Sequence, residues 1–204
     1  MIRVSGQNNC NQLLLNPTAM EDPKLQNIVF PVLSLLDVSS LLSLSTYAEH
    51  SVWVTKDHRA HAIGNNQDGR IGQFIPQQIF KDPIDYQIID SHGEMYPVLS
   101  AVCGIHYTLY LVQSNSGNRL VYANSTYHSQ NVFIDIGNCS PIALFGGSHN
   151  SAAIDSEGCV IIVTDDTLHL TGELNEPTAY ILNLPDYEKA VQVCFCFDSI
   201  YALS

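Results

Sequence analysis

Residues 50–72 read HSVWVTKDHRAHAIGNNQDGRIG and have the pattern of a β-hairpin that leads into a glycine-rich loop. The apolar run at 52–54 predicts a strand, and a polar turn follows at 56–59. A second strand ends at Gly64, and the glycines from there to Gly72 let the chain reverse direction without steric clash. The unit therefore predicts two strands and a tight connection to the next element.

Parts of this unit recur along the chain. A loop that lines up with 64–71 begins at Gly6, 58 residues earlier. Residues 98–111 and 142–154 each consist of an apolar strand, a Gly-x-His element and a second apolar strand, and a last apolar stretch fills 189–203. Repeats of about 50 residues that are rich in β-formers are typical of β-propellers, whose blades have about four strands each. The sequence therefore predicts an all-β propeller.

The repeats predict a single propeller-like domain over residues 1–204. Within it we expect a blade-exit strand at 1–15, blades at 41–74, 98–135 and 142–169, and the start of a further blade at 189–204. Pro, Asp, Asn and other polar residues mark the connections, at 17–31, 73–97 and 169–186. The Leu-rich segment from Val32 to Leu44 is the one candidate helix.

These motifs resemble the regulator of chromosome condensation repeat family, in which Gly-x-His-Ser, Asp-Gly and Gly-x-Asn-x-x-Gly-x-Leu-Gly separate successive strands. The loop at 64–72 satisfies the last motif almost fully, and the N-terminal copy from Gly6 satisfies it in part. Glu157-Gly158 matches the Asp-Gly turn, whereas Asp57-His58 departs from it. A further departure is Ala123, which stands where the family has glycine.

The residues that carry this resemblance have structural roles. Glycines supply the positive φ of hairpin turns and chain reversals, and an Asn side chain such as that of Asn66 bonds nearby backbone. Each His follows an inner strand, where a neutral imidazole is expected to bridge neighbouring backbones. The predicted repeat positions are Gly6, Asn8, Gln12, His50, Gly64, Asn66, Gly69, Gly72, Gly104, His106, Gly147, His149 and Gly158.

The resemblance implies a seven-bladed propeller, whereas this chain carries about four blades' worth of strands. The N-terminal loop motif and the C-terminal strand motif are complementary halves of one blade. They either pair to close a small four-bladed ring, or the chain is the N-terminal part of a longer propeller. We favour the second interpretation.

Charge restricts the partners of this chain. Its 204 residues contain 8 Lys and Arg against 20 Asp and Glu, which gives a formal charge of −12. Such a surface repels phosphate backbones, so direct nucleic-acid binding is excluded and a protein partner with a basic surface is expected. The N-terminus lacks the features of a signal peptide, and the longest apolar run, at 28–36, is too short to span a bilayer. We therefore expect a cytoplasmic or nuclear protein that is neither secreted nor bound to membranes.

Motifs for catalysis and metal binding are incomplete. The glycines at 64–69 have the spacing of a phosphate-binding loop, but Arg70-Ile71 replaces the Lys-Ser/Thr pair that such loops need. Residues 146–150 lack the last glycine of a nucleophile elbow. Cys194 and Cys196 share a strand face, but a second cysteine pair at zinc spacing is missing from the sequence. We therefore predict no catalytic, cofactor-binding or metal-binding residues.

The sequence thus favours a non-enzymatic protein-interaction module or regulatory scaffold, with its partner-binding residues undetermined. The alternative is guanine-nucleotide exchange on a Ran-like small GTPase, which the resemblance implies for the founding branch of the family. An enzyme in its own right is the third and weakest hypothesis.

Overall fold

A computed structural model describes residues 3–4, 30–31, 38–47, 49–67, 69–72, 79–123, 131–164, 177–182, 184, 188–196 and 199–204. In this part of the chain nearly all regular structure is β. The strands are β1 (Arg3–Val4), β2 (Phe30–Pro31), β3 (Leu41–Tyr47), β4 (His50–Thr55), β5 (Ala60–Asn65), β6 (Ile79–Tyr86), β7 (Ile88–Ile89), β8 (Met95–Tyr96), β9 (Val98–Cys103), β10 (Thr108–Ser114), β11 (Gly117–Ala123), β12 (Val132–Ile134), β13 (Pro141–Gly146), β14 (Asn150–Asp155), β15 (Val160–Thr164), β16 (Thr178–Leu182), β17 (Gln192–Cys196) and β18 (Ser199–Leu203). A 3-10 turn at Val38–Ser40 precedes β3.

The strands form three consecutive four-stranded antiparallel sheets, each a simple meander. Blade 1 has the order β3-β4-β5-β6, blade 2 has β9-β10-β11-β12 and blade 3 has β13-β14-β15-β16. Two-stranded sheets β1-β2, β7-β8 and β17-β18 complete the described architecture. The predicted all-β fold of repeated blades is confirmed.

The blades follow one another around a common axis. The first strand of each blade contacts the first strand of the next, so that β3 meets β9, β9 meets β13 and β13 meets β17. Apolar side chains fill the space between neighbouring blades and form one core between blades 1 and 2, a second between blades 2 and 3, and a third between blade 3 and β17-β18. Burial of these faces is the main favourable term for such stacked sheets.

The same backbone bond recurs inside every blade. An N–H at the end of the second strand donates to the carbonyl just before the first strand, as Lys56 to Ser40, Gln113 to Pro97 and Ser156 to Ser140. The bond lengths are 2.7, 2.9 and 3.1 Å. The three sheets are therefore repeats of one structural unit despite their uneven spacing in sequence.

Two sequence-based assignments differ from the structure. Residues 41–44, which end the candidate helix, belong to strand β3, because Leu and Ser alternate from Leu42 to Ser45 at the period of a strand. The fourth strands β6 and β16 lie inside segments that we assigned to connections, 73–97 and 169–186. Both are edge strands, where polar residues and proline such as Pro83 are tolerated, so their composition resembles that of a loop.

Candidate interaction surface

The loop after β5 joins blade 1 to blade 2 through its carbonyl groups. Three hydroxyl groups donate to three successive carbonyls, Thr108 to Arg70 over 2.6 Å, Tyr110 to Ile71 over 3.0 Å and Tyr86 to Gly72 over 2.8 Å. Two of these hydroxyls belong to β10 of the next blade. The glycine-rich motif therefore presents backbone acceptors to a neighbouring sheet, which is a structural role.

Glycine and asparagine shape this loop. Gly64, Gly69 and Gly72 have φ values of 109°, 60° and 99°, which disfavour residues with a Cβ. The Asn66 side chain accepts a hydrogen bond from the Ile71 N–H over 3.1 Å and so closes the loop on itself. The N-terminal counterparts Gly6, Asn8 and Gln12 lie outside the described residues.

His50 lies wholly buried at the joint between blades 1 and 2. Its Nε2 is 3.0 Å from the Thr108 hydroxyl, which itself donates to Arg70 O, so Nε2–H is the donor. Burial, reinforced by the nearby Arg70 guanidinium, lowers the pKa of His50 to about 3. The imidazole is therefore neutral, and it contacts a side-chain hydroxyl of the next blade rather than its backbone.

Tyr107 takes the corresponding role at the joint between blades 2 and 3. Its hydroxyl lies 2.6 Å from the buried Ser151 hydroxyl of the next blade. His106, the preceding residue, is half-buried, and His149 is exposed. Tyr107 is not among the positions predicted from the sequence, because those predictions rest on the histidines His50, His106 and His149.

The loops that carry these residues need glycine for space. A Cβ on Gly104 would lie 2.0 Å from the Tyr107 ring, and one on Gly147 would lie 2.6 Å from the Asn150 carbonyl oxygen. The Ile105 N–H donates to Ser148 O over 2.8 Å, so the loops of blades 2 and 3 are bonded directly. Gly147 thus lies where two backbones approach closely, and Gly104 lies where the Tyr107 ring packs against the backbone.

The opposite ends of the blades, which we call the turn face, carry the turns between second and third strands. Gly158 has a φ of 85°, and its carbonyl accepts from the Ala190 N–H over 3.0 Å. His58 occupies the equivalent position with a φ of 63°, and its carbonyl accepts from the Val98 N–H over 3.0 Å. The departure from the glycine motif at His58 therefore keeps both the backbone conformation and the contact to the next blade.

A hydrogen-bonded chain of side chains crosses the turn-face end of blade 1. The Thr55 hydroxyl donates to Asp57 Oδ1 over 2.5 Å and lowers the pKa of that carboxyl. It also lies 3.2 Å from His61 Nε2, and His61 Nδ1 lies 2.8 Å from Asp85 Oδ1. Because the Thr55 proton points to Asp57 rather than to His61, the hydroxyl is not activated as a nucleophile. The cluster instead fixes the positions of two exposed carboxylates.

A groove of about 250 Å³ opens beside these carboxylates. Its walls are the turn at 57–59 and the segment 95–98, and Met95 at its rim is 62% exposed. Asp90 and Glu94 accept from the Tyr96 hydroxyl over 3.0 and 3.2 Å, and the hydrogen bonds of the β7-β8 turn lower the pKa of Asp90. The groove, which we call the acidic groove, thus has Asp90 and Glu94 next to its wall residue Tyr96, and its other wall holds Arg59, paired with Asp57 over 3.5 Å.

A larger groove of about 410 Å³ lies at the corresponding end of blade 2 and has a different character. Arg119 lies in its lining, with the guanidinium carbon 4.5 Å from the centre of the Phe133 ring. Both grooves contain an arginine, but Arg59 in the acidic groove is paired with Asp57 over 3.5 Å, whereas Arg119 in this groove packs on an aromatic face.

Among the described residues, no group of three or more His, Cys, Asp and Glu side chains is arranged to hold a metal ion. Cys103, Cys139, Cys159 and Cys194 are free thiols. Burial raises the pKa of Cys103 to about 12, so its thiol stays protonated. In the same part of the chain, no helix has both the length and the apolar character to cross a membrane.

No family model matches this chain, and no curated protein matches it. Several solved structures do match it. Human WBSCR16 superposes with a TM-score of 0.65 at 16% identity, over 97% of this chain and 53% of that one. Prp20p from Saccharomyces cerevisiae, described with its binding properties to Gsp1p and histones, superposes with a TM-score of 0.58 at 16% identity, over 88% and 46%. Yeast RCC1 (Prp20) in complex with Kap60 gives 0.50 at 14% identity, over 81% and 41%.

The chain thus spans about half the length of the first solved structures that it matches. These structures are RCC1-like β-propellers, and the match covers all three complete blades described above. At such low identity the likeness concerns the fold alone. The chain has the fold of part of an RCC1-like β-propeller.

Proposed function

We propose that this chain is a non-enzymatic, protein-binding propeller segment whose partner presents a basic surface. The observation that carries the proposal is the acidic groove, where exposed apolar surface at Met95 lies beside the carboxylates of Asp90 and Glu94. An apolar centre with a charged rim is the usual anatomy of a protein interface. The net charge of −12 adds long-range attraction for a basic partner and repulsion for nucleic acid.

The structural neighbours agree with this class of function. Prp20p is described as binding histones, which are strongly basic proteins, and Gsp1p. Propellers bind partners through loops and turns on their two faces, while the sheets act as a rigid frame. We extend this mode of binding to the present chain, together with a cytoplasmic or nuclear location.

Binding of purified core histones, measured by calorimetry at two salt concentrations, tests the proposal. A Glu94→Lys, Met95→Lys double variant reverses the charge of the rim and removes its apolar contact, and we expect at least about a tenfold loss of affinity. Glu157→Lys is the control, because Glu157 is also an exposed carboxylate on the turn face but lies in blade 3. Equal affinity of both variants, or binding that is independent of salt, would contradict the proposal.

The second candidate function is nucleotide exchange on a Ran-like small GTPase. Prp20p, the structural neighbour described with its binding to Gsp1p, favours this candidate. Exchange requires loops that open the nucleotide site of the partner rather than a reactive side chain. A nucleotide-release assay separates the two candidates. Accelerated release at catalytic amounts of this chain would replace the pure scaffold function by exchange.

A further inference from the structure

The two grooves of the turn face occupy equivalent places in neighbouring blades. The acidic groove lies between the 57–59 turn of blade 1 and the segment 95–98, which leads into β9. The larger groove, which we call the arginine groove, lies between residues 116–119 of blade 2 and the segment 135–140, which leads into β13. Each groove therefore opens between a turn of one blade and the chain that enters the next blade.

Pro141 makes the arginine groove different from its equivalent. After blades 1 and 3, an N–H of the entering chain donates to a turn carbonyl over 3.0 Å, from Val98 to His58 and from Ala190 to Gly158. By the register of the recurrent backbone bond within the blades, Pro141 takes this place after blade 2, and proline has no N–H to donate. The Asn118 side chain instead donates to the Pro141 carbonyl over 2.8 Å. A side chain thus replaces a backbone bond in the wall, and the groove has about 410 Å³ against about 250 Å³ for the acidic groove.

Arg119 keeps its charge available in the arginine groove. The other two arginines whose side chains the structure describes each have a carboxylate within 4 Å, Arg59 at 3.5 Å and Arg70 at 3.6 Å. Among the described residues, no carboxylate lies within 4 Å of the Arg119 guanidinium nitrogens, and its contact is with the Phe133 ring. Asp135 of the same groove accepts the N–H of its own turn, from Gly137 over 3.0 Å. An oxyanion is the group that such a guanidinium binds best.

An aromatic wall joins the two grooves. Tyr96 lines the acidic groove, and its hydroxyl bonds to the carboxylates of Asp90 and Glu94. The Tyr96 ring lies 5.1 Å from the Phe133 ring at an interplanar angle of 59°, and Phe133 lines the arginine groove against Arg119. The order across the surface is therefore two carboxylates, two packed rings and one guanidinium. Groups that attract opposite charges thus lie side by side on one frame.

We propose that the two grooves bind one extended segment of the partner, with a basic side chain beside Asp90 and Glu94 and an acidic side chain beside Arg119. This inference rests on the proposed function and specifies the chemistry of the partner. A segment with basic residues alone would bring a like charge to Arg119, and an acidic segment would bring one to Asp90 and Glu94. Exposed Met95 at the rim of the acidic groove supplies apolar contact to either. Only a segment of mixed charge matches both grooves.

Fluorescence anisotropy with two sets of synthetic peptides tests this inference. Mixed peptides carry lysines at one end and glutamates at the other, separated by neutral spacers of about two to eight residues, which span about 7 to 27 Å when extended. Basic peptides have glutamine in place of each glutamate. We expect this 204-residue chain to bind the best mixed peptide at least about threefold more tightly than its basic counterpart. The net charge of −12 alone would give the opposite order, since the basic peptide carries the larger positive charge.

Three variants assign the preference to the grooves. Arg119→Gln removes the cation and should abolish the preference for mixed peptides without weakening the basic ones. Lys189→Gln is the matched control, because Lys189 is an exposed cation beside Glu157 in blade 3 and its loss changes the charge equally; it should retain the preference. The Glu94→Lys, Met95→Lys variant should bind both sets more weakly, because both use the acidic groove. Circular dichroism melts of each variant verify that the sheets remain folded.

Three results would overturn the inference. If basic peptides bind at least as tightly as mixed ones at every spacer length, the arginine groove takes no part, whereas the acidic groove remains a site for a basic partner. If the preference persists in Arg119→Gln, it arises elsewhere on the chain. If neither set binds, the inference fails, and the histone measurement decides the proposed function on its own.

Discussion

Substitution of Gly64 by alanine tests whether glycine is required where the end of β5 passes close to the backbone at the start of β4. Gly64 has a φ of 109°, and it pairs with His50 at the end of the sheet. A Cβ at this position would lie 2.3 Å from Glu49 O and 2.8 Å from the His50 Cα. Both of these atoms belong to the backbone, so no side-chain rotation can relieve the contact.

The cost has two parts. Holding a non-glycine residue at such a φ costs about 1–3 kcal/mol. The backbone shift that the new Cβ imposes costs a similar amount, as overpacking does in cores, and it strains the 2.8 Å bond from the Asn65 N–H to Glu49 O. We expect the free energy of unfolding to fall by about 4 kcal/mol, which corresponds to about 10 °C in Tm for a chain of this size.

Gly93→Ala is the control, measured in the same urea and thermal melts. Gly93 has a φ of 82°, but a Cβ there would meet no atom within 4 Å. Only the conformational cost of about 1 kcal/mol applies, so Tm should fall by about 3 °C. Equal losses for the two variants would refute the argument that close backbone approach, rather than φ alone, demands glycine at 64.

Three further predictions concern buried groups. The pKa of His50 is lowered to about 3 in the folded state and is 6.5 in the unfolded chain, so between these pH values the unfolded chain binds one more proton. The free energy of unfolding therefore has its full value above pH 6.5 and falls towards pH 3 by about 1.4 kcal/mol per pH unit. His50→Gln should reduce that slope in urea melts at pH 7 and pH 5, and an unchanged slope would assign it to other groups. Tyr107→Phe leaves the buried Ser151 hydroxyl without its 2.6 Å partner and should cost about 1–2 kcal/mol in the same melts, whereas exposed Tyr201→Phe should cost almost nothing. Timed thiol labelling with mass spectrometry should modify exposed Cys194 early and buried Cys103, whose pKa is raised to about 12, only on unfolding; early labelling of Cys103 would contradict its burial between blades 1 and 2.

The sequence predicts the paired strands well where both faces are buried. Apolar runs such as 52–54 and 160–163 are unambiguous because each sheet packs between two neighbours. It predicts the outer strands poorly, since β6 has an exposed edge and accommodates Asp82, Pro83 and Asp85. The residue composition of such an outer strand is determined by its exposure to solvent rather than by its hydrogen bonding to the neighbouring strand.

The joints between blades were predicted in part, for a physical reason. His50 is an inter-blade donor, but the same place is filled by Tyr107 in blade 2. Any side chain of suitable length that donates to the next blade satisfies this joint, so residue identity is a weak marker. The hydroxyl of the next blade in this contact, on Thr108 or Ser151, is the more constant feature. The acidic groove carried no local sequence signal, because its two walls are about 40 residues apart.

The three successive carbonyls of Arg70, Ile71 and Gly72 have a consequence for modularity. Two of their donors, Thr108 and Tyr110, belong to the neighbouring sheet. Blades that look alike in backbone are therefore not interchangeable parts, because each carries the hydroxyls that its predecessor requires. A chimaera that transplants blade 2 without the loop at 69–72 would separate acceptors from donors, whereas one cut inside β5, before that loop, would keep them together. A segment that can be exchanged without loss of these hydrogen bonds therefore includes parts of two sheets.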